Sequence, residues 1–212
     1  MTRTESPAPA RTERPPMLGS LGYLLMNLPL GIFWFSLLVT LIAVSAGTAI
    51  IWVGLATGAF TVLLWRGAAT IERARAHAML GSHIPEPYRE LPDDRQSVRW
   101  KARLRDTATW KDLGYLLVLL PAGIVEFVLM VTAWSTSLAL LGLPIYYRFL
   151  PSGAYHFPTY EPDHAWFTVD SVATALPFAA AGVLALLLAI ALTRALGAAH
   201  ARFALGMLGR AA

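Results

Sequence analysis

Apolar positions fill two long blocks of the chain, and a polar, basic block separates them. No charged residue occurs between positions 17 and 65. That run is about twice what one helix needs to cross roughly 30 Å of hydrocarbon. It must therefore fold back on itself. Small and polar residues gather at Ser45, Ala46, Gly47 and Thr48, which makes this the turning point. The pattern predicts a first span over residues 18–44 and a second over 48–65, with Trp65 and Arg66 as an interfacial end. A third span is expected over 113–143, ended by Gly142 and Pro144, and a fourth over 171–192.

Between and around the spans the pattern changes. Residues 66–112 form a polar loop. In it, 71–80 reads as helix with Gly81 as its stop, 84–94 holds three prolines and reads as extended chain, and 98–110 reads as one helix lying on the membrane surface. There Val98, Trp100, Leu104 and Trp110 alternate with Arg99, Lys101, Arg103 and Arg105. Glu72, Arg73, Arg75 and His77 read as a solvated helix face. Residues 145–170 form an aromatic, irregular loop. Residues 194–209 read as a separate amphipathic helix with Leu196, Ala199, Phe203 and Met207 on one face. The first 16 residues are polar and proline-rich and read as a disordered tail, not a signal peptide. The expected fold is all-α: a polytopic membrane protein whose folded unit spans residues 17–210.

Charge sets the expected orientation. Arg3, Arg11 and Arg14 lie in the tail, ten cations lie in 66–111, and Arg194, Arg202 and Arg210 follow the last span, so only Arg148 of the 17 cations falls on the other side. The positive-inside rule then predicts a multi-pass plasma-membrane protein with both termini and the basic loop in the cytoplasm. The basic residues read as topology signals and lipid contacts, with the bilayer rather than nucleic acid as partner. With 56% hydrophobic residues, 14% charged residues and no cysteine, thiol catalysis, disulfides and cysteine metal sites are excluded.

The chain also repeats itself. Residues 21–40 read LGYLLMNLPLGIFWFSLLVT and residues 113–132 read LGYLLVLLPAGIVEFVLMVT, identical at 13 of 20 positions at an offset of 92. Two tandem hairpins, each starting on the cytoplasmic side, are therefore expected as parallel repeats. Pro29 and Pro121 occupy matching positions, as do Gly31 and Gly123. These four are candidate hinges, or packing positions where a neighbouring helix comes close. Tyr23 and Tyr115, also matched, read as membrane-boundary residues.

Glu126 is the only carboxylate or cation inside an expected span, and burying it demands protonation, a partner or water. It is matched in the first repeat by Trp34. Asn27, the other strongly polar span residue, lies about two turns nearer the cytoplasm in the repeat register. Glu126 and Asn27 are the candidate signal-responsive residues, with a polar tie between helices as the alternative. In the outer loop, Tyr155, His156, Tyr160, His164 and Trp166 are candidate ligand contacts, with an interfacial aromatic belt as the alternative. His156, Glu161, Asp163 and His164 match no metal motif with a mechanism, so no metal is expected. No Walker loop, HExxH or GxSxG is present. No catalysis and no cofactor are expected.

The LGYLL opening, Glu72-Arg73, LGSHIPEPY at 80–88, TWKDLGYLLVLLPAGI at 109–124 and the terminal ALGAAHARFALGMLG resemble the sensor domain of actinobacterial two-component histidine kinases, over roughly residues 18–209. The resemblance implies signal input from the envelope or membrane, relayed to a cytoplasmic partner. Family members usually precede a kinase. This chain carries neither a phosphoacceptor histidine context nor a nucleotide-binding glycine loop, so a kinase or regulator in trans is the expected partner of a stand-alone sensor; a cut-out domain is the other reading. A small transporter or transporter subunit is the runner-up, since parallel repeats and a buried acid occur in transporters. Four spans leave little room for a solvated path unless the protein forms a homo-oligomer. A structural envelope protein is the third reading.

Overall fold

The computed structural model describes residues 15–89, 95–150, 153–157 and 165–210. Five α-helices and one small hairpin make up the described fold: α1 Met17–Gly47, α2 Val53–Leu80, α3 Gln96–Arg105, α4 Thr107–Tyr146, strands β1 Tyr155–Phe157 and β2 Phe167–Val169, and α5 Val172–Leu208. The molecule is all-α but for that hairpin. Three segments, Met17–Gly47, Thr107–Phe149 and Val172–Leu208, are long and apolar enough to cross a membrane. These mark the chain as a membrane protein. The second expected span falls on α2, which is not among them: its apolar stretch ends at Trp65, and Arg66, Glu72, Arg73 and Arg75 follow within the same helix.

The uncharged run folds back close to the expected place. Helix α1 ends at Gly47, a short 3-10 turn covers Ala49–Ile51, and Trp52 takes the left-handed conformation (φ 63°) before α2 begins. Gly54 lets the turn close, because a Cβ there would lie 2.2 Å from the Ser45 carbonyl oxygen. Helix α2 then runs unbroken to Leu80, where Gly81 at φ 66° ends it as expected.

Besides this unbroken α2, which joins the expected span over 48–65 to the helix over 71–80, four further features differ from expectation. The surface helix stops at Arg105 rather than Trp110, because the Asp106 side chain accepts from the Ala108 N–H and caps a new helix. Trp110 thus belongs to α4, and its indole N–H donates back to the Leu104 carbonyl at 2.9 Å. Helix α4 continues through Pro144 to Tyr146. Helix α5 is one continuous helix, opened by a Ser171–Thr174 capping box, so there is no separate amphipathic helix over 194–209. No helix breaker separates its two halves: the Thr193 hydroxyl bonds the Ala189 carbonyl one turn back at 2.7 Å. Finally, the outer loop is not wholly irregular. Tyr155, His156 and Phe157 pair antiparallel with Val169, Thr168 and Phe167.

Packing follows the repeat. A Cβ on Gly31 would lie 2.7 Å from Leu120 Cα, and one on Gly123 would lie 2.7 Å from the Asn27 carbonyl carbon and oxygen and 2.8 Å from the Leu28 nitrogen. With the offset of 92, Leu28 matches Leu120, so these contacts are reciprocal. Both glycines pack where α1 and α4 cross, while Pro29 and Pro121 lie inside uninterrupted helices. The main apolar core, which includes Leu38, Trp65, Leu80, Leu116, Leu119 and Leu208, holds α1, α2, α4 and α5 together. A smaller cluster of Leu143, Val169 and Ala175 seats the hairpin on α4 and α5.

Candidate functional site: a buried polar cluster joining four helices

Helical spacing brings seven polar side chains into the interior. Tyr23 and Asn27 lie one turn apart on α1, and Glu72 and Arg75 one turn apart on α2. Tyr115 and Glu126 lie three turns apart on α4, and His200 comes from α5. Six of the seven are buried and Arg75 nearly so. Buried polar groups persist only when hydrogen-bonded, and this set forms a connected path.

Arg75 donates to Glu72 Oε2 from both Nε (3.1 Å) and NH2 (2.6 Å), and NH2 also reaches Asn27 Oδ1 at 2.7 Å. Its guanidinium sits 4.0 Å over the Tyr23 ring. Asn27 Nδ2 donates to Glu126 Oε2 at 2.6 Å, and the other Glu126 oxygen lies 2.6 Å from His200 Nδ1. His200 Nε2 meets the Tyr115 hydroxyl at 3.1 Å, which meets the Tyr23 hydroxyl at 3.0 Å. The last pair joins residues 92 apart, the repeat offset. Phe203 stacks on Tyr115 and closes the cluster on the α5 side.

The donor and acceptor roles along this path depend on the imidazole tautomer. With a neutral imidazole carrying its hydrogen on Nδ1, His200 donates to Glu126 and accepts from Tyr115, which accepts from Tyr23. With a hydrogen on Nε2 instead, His200 donates to Tyr115, and the Tyr115 hydrogen turns away from the imidazole.

The two candidate signal-responsive residues, Glu126 and Asn27, come together directly. The helix crossing sets Asn27 beside Gly123, one turn before Glu126, and the Glu126 side chain, leaning toward its helix N-terminus, spans that turn. The register-equivalent positions differ in kind: Trp34 and Leu119, which stand where Glu126 and Asn27 stand in the other copy, both belong to the apolar core. The solvated face expected at Glu72, Arg73, Arg75 and His77 is corrected. Only His77 is exposed, because α2 stays on the bundle and turns Ala68, Ala69, Glu72, Arg73, Ala76 and Leu80 inward. Tyr23 and Tyr115 are fully buried core residues. His200 was not singled out in the sequence, although it lies one turn beyond Leu196 and one before Phe203 on the same stripe. A histidine on an apolar stripe is the signal that could have found it.

A second cluster locks the adjoining end of the bundle. Arg73 NH2 pairs with Asp112 Oδ1 at 2.6 Å, and Arg73 Nε donates to the Leu208 carbonyl at 3.0 Å, at the end of α5. The Tyr88 hydroxyl donates to Asp112 Oδ2 at 2.7 Å, and Arg66 lies 3.7 Å over the Tyr88 ring while donating to Thr109. Burial, followed by the bond to Asp112, pushes Tyr88 up to about 12, so it remains a neutral donor.

In the outer region, Tyr155 and His156 lie in β1, with His156 Nδ1 3.1 Å from Thr168 Oγ1. Trp166 is 83% exposed. Tyr160 and His164 lie outside the described residues. The described three are not gathered into a pocket with the polar cluster, which sits at the other end of the helices.

The family model described as Putative sensor matches residues 23–208. No match reaches significance among curated proteins or among solved structures.

Proposed function

Because the chain belongs to the family described as Putative sensor, we propose that it is a membrane-embedded signal-input domain, without catalysis of its own, that relays an envelope or membrane state to a cytoplasmic histidine kinase or regulator in trans. Family membership gives the sensor-like role in general terms; the mechanism and topology are our reading. In that reading α2 enters the bilayer as the second of four spans. The two hairpins are tandem parallel repeats, and both termini are cytoplasmic. The unbroken uncharged run, the reciprocal glycine contacts and the distribution of cations support it.

The observation that carries the proposal is the bridging of Glu126. One oxygen is held from α1 by Asn27 and the other from α5 by His200. Helix α5 is thus tied to α1 and α4 through a carboxylate and an imidazole. A change in protonation, or a shift in helix packing that alters those bonds, moves the balance between two arrangements of α5. The groups facing Glu126 and His200 are Tyr23 and Asn27 on α1, Arg75 with its partner Glu72 on α2, and Tyr115 on α4.

Glu126→Gln keeps the shape and hydrogen-bonding capacity but removes the charge. Expressed in a host that carries the cognate output protein and a transcriptional reporter, wild type should give a pH-dependent output and Glu126→Gln a flat one. An unchanged pH profile in the variant would sink the switch.

A further inference from the structure

Beside α2 lies an apolar groove of about 610 Å3, within the size range of small-ligand sites. It is open because the α2 residues facing it are small. A Cβ on Gly58 would meet only Ser45, at 3.8 Å. Ile42 of α1, Val62 of α2 and Leu113 of α4 form its walls. One end is ringed by Trp65, Trp100 and Trp110. Trp65 is 4% exposed, and its indole N–H has no acceptor among the described residues. An amphipathic ring of this kind suits the zone between acyl chains and headgroups.

Helix α3 supplies the lip at that end. Trp100 and Leu104 face the groove, and Arg99, Lys101, Arg103 and Arg105 interleave with them, with no acid in the helix. None of these four cations is in an ion pair among the described residues, and Arg99 Nε is buried without a partner. Among the described residues, the neighbouring acids are engaged: Asp106 caps α4 and Asp112 pairs with Arg73. An apolar slot and a cationic lip are complementary to one molecule with an acyl chain and a negative phosphate.

We propose that this groove seats a single anionic phospholipid, its chain along Gly54 and Gly58 and its phosphate at α3. The inference rests on the reading of α2 as a membrane span. Its test is native mass spectrometry of the whole chain in detergent, titrated with phosphatidylglycerol or with phosphatidylcholine of the same chain length. One phosphatidylglycerol should bind per chain with roughly tenfold preference, the scale expected from one or two cations near a headgroup. Gly58→Leu, which fills the slot and favours helix, should abolish the adduct. The double variant Arg99→Gln/Arg103→Gln should bind both lipids equally. It decides the matter if Gly58→Leu fails to fold. Equal binding of the two lipids by wild type, or a phosphatidylglycerol adduct that survives Gly58→Leu, would overturn the seat. The span is read separately, from a cysteine at Phe60, an exposed α2 position. Shielding of that cysteine from a water-soluble maleimide in vesicles, with no lipid preference, rejects the lipid seat alone; free reaction rejects the span.

Discussion

Replacing Gly123 by alanine tests how tightly the duplicated helices are pressed together. The new methyl carbon would stand 2.7 Å from the Asn27 carbonyl carbon and oxygen. Those are backbone atoms, which cannot swing aside. Ordinary contact begins near 3.4 Å, so α1 and α4 must part by about 0.7 Å. Overpacking of this kind costs about 1–3 kcal/mol. The same retreat stretches the 2.6 Å bond from Asn27 to Glu126 to about 3.3 Å, just past the useful range, and hydrogen bonds to charged groups are worth about 1.5–3 kcal/mol. Alanine returns about 1 kcal/mol of helix propensity. The expected net loss is about 1.5–5 kcal/mol, read by unfolding in mixed micelles of increasing denaturing-detergent fraction, followed by circular dichroism. Gly31→Ala meets the other half of the same crossing and should cost a similar amount. The double variant should cost less than the sum, because helices already parted by one methyl accept the second cheaply. Gly67→Ala is the control, since a Cβ there meets nothing within 4 Å. If Gly123→Ala were as stable as Gly67→Ala, the reasoning about the crossing would be wrong.

Two further outcomes follow from the second cluster. Asp112→Ala leaves the Arg73 guanidinium buried without its counter-charge and should destabilise the chain by about 3–5 kcal/mol in the same assay. Tyr88 is raised in the fold from an ordinary value of 10 to about 12, so its contribution is complete below pH 10 and is lost as pH rises from 10 through 12. Wild type should show that alkaline loss of stability, and Tyr88→Phe, less stable at neutral pH, should lack this component.

The apolar frame was legible because lipid-crossing segments need long uncharged runs, and the turn before Trp52 and the stop at Gly81 rest on local backbone chemistry. The α1–α4 crossing was foreshadowed by the repeat, which placed Gly31 and Gly123 as positions of close approach. The polar interior was legible only at Glu126 and Asn27, where a polar side chain interrupts an apolar stretch. Glu72, Arg73 and Arg75 looked solvated because hydropathy counts each charge separately and cannot see that Arg75 neutralises Glu72 and Asp112 neutralises Arg73. The continuity of α5 was missed because Arg194 marks a polar boundary, and a helix need not end where its surroundings change. The hairpin was missed because three residues per strand are too few to display an alternation.

On the proposed tandem-repeat reading, a duplicated hairpin offers two equivalent berths where its helices cross. One holds Asn27 with Glu126, and the other would be filled by Trp34 and Leu119, which lie instead in the apolar core. Two identical hairpins assembling as a dimer could not make this choice: both berths would be acidic or both greasy. Two acidic berths would add a second buried carboxylate and raise the cost of ionising either one, while two greasy ones would leave His200 nothing to hold. On that reading, fusing the copies into one chain lets the halves diverge, so a symmetric frame can hold one acid at the α1–α4 crossing.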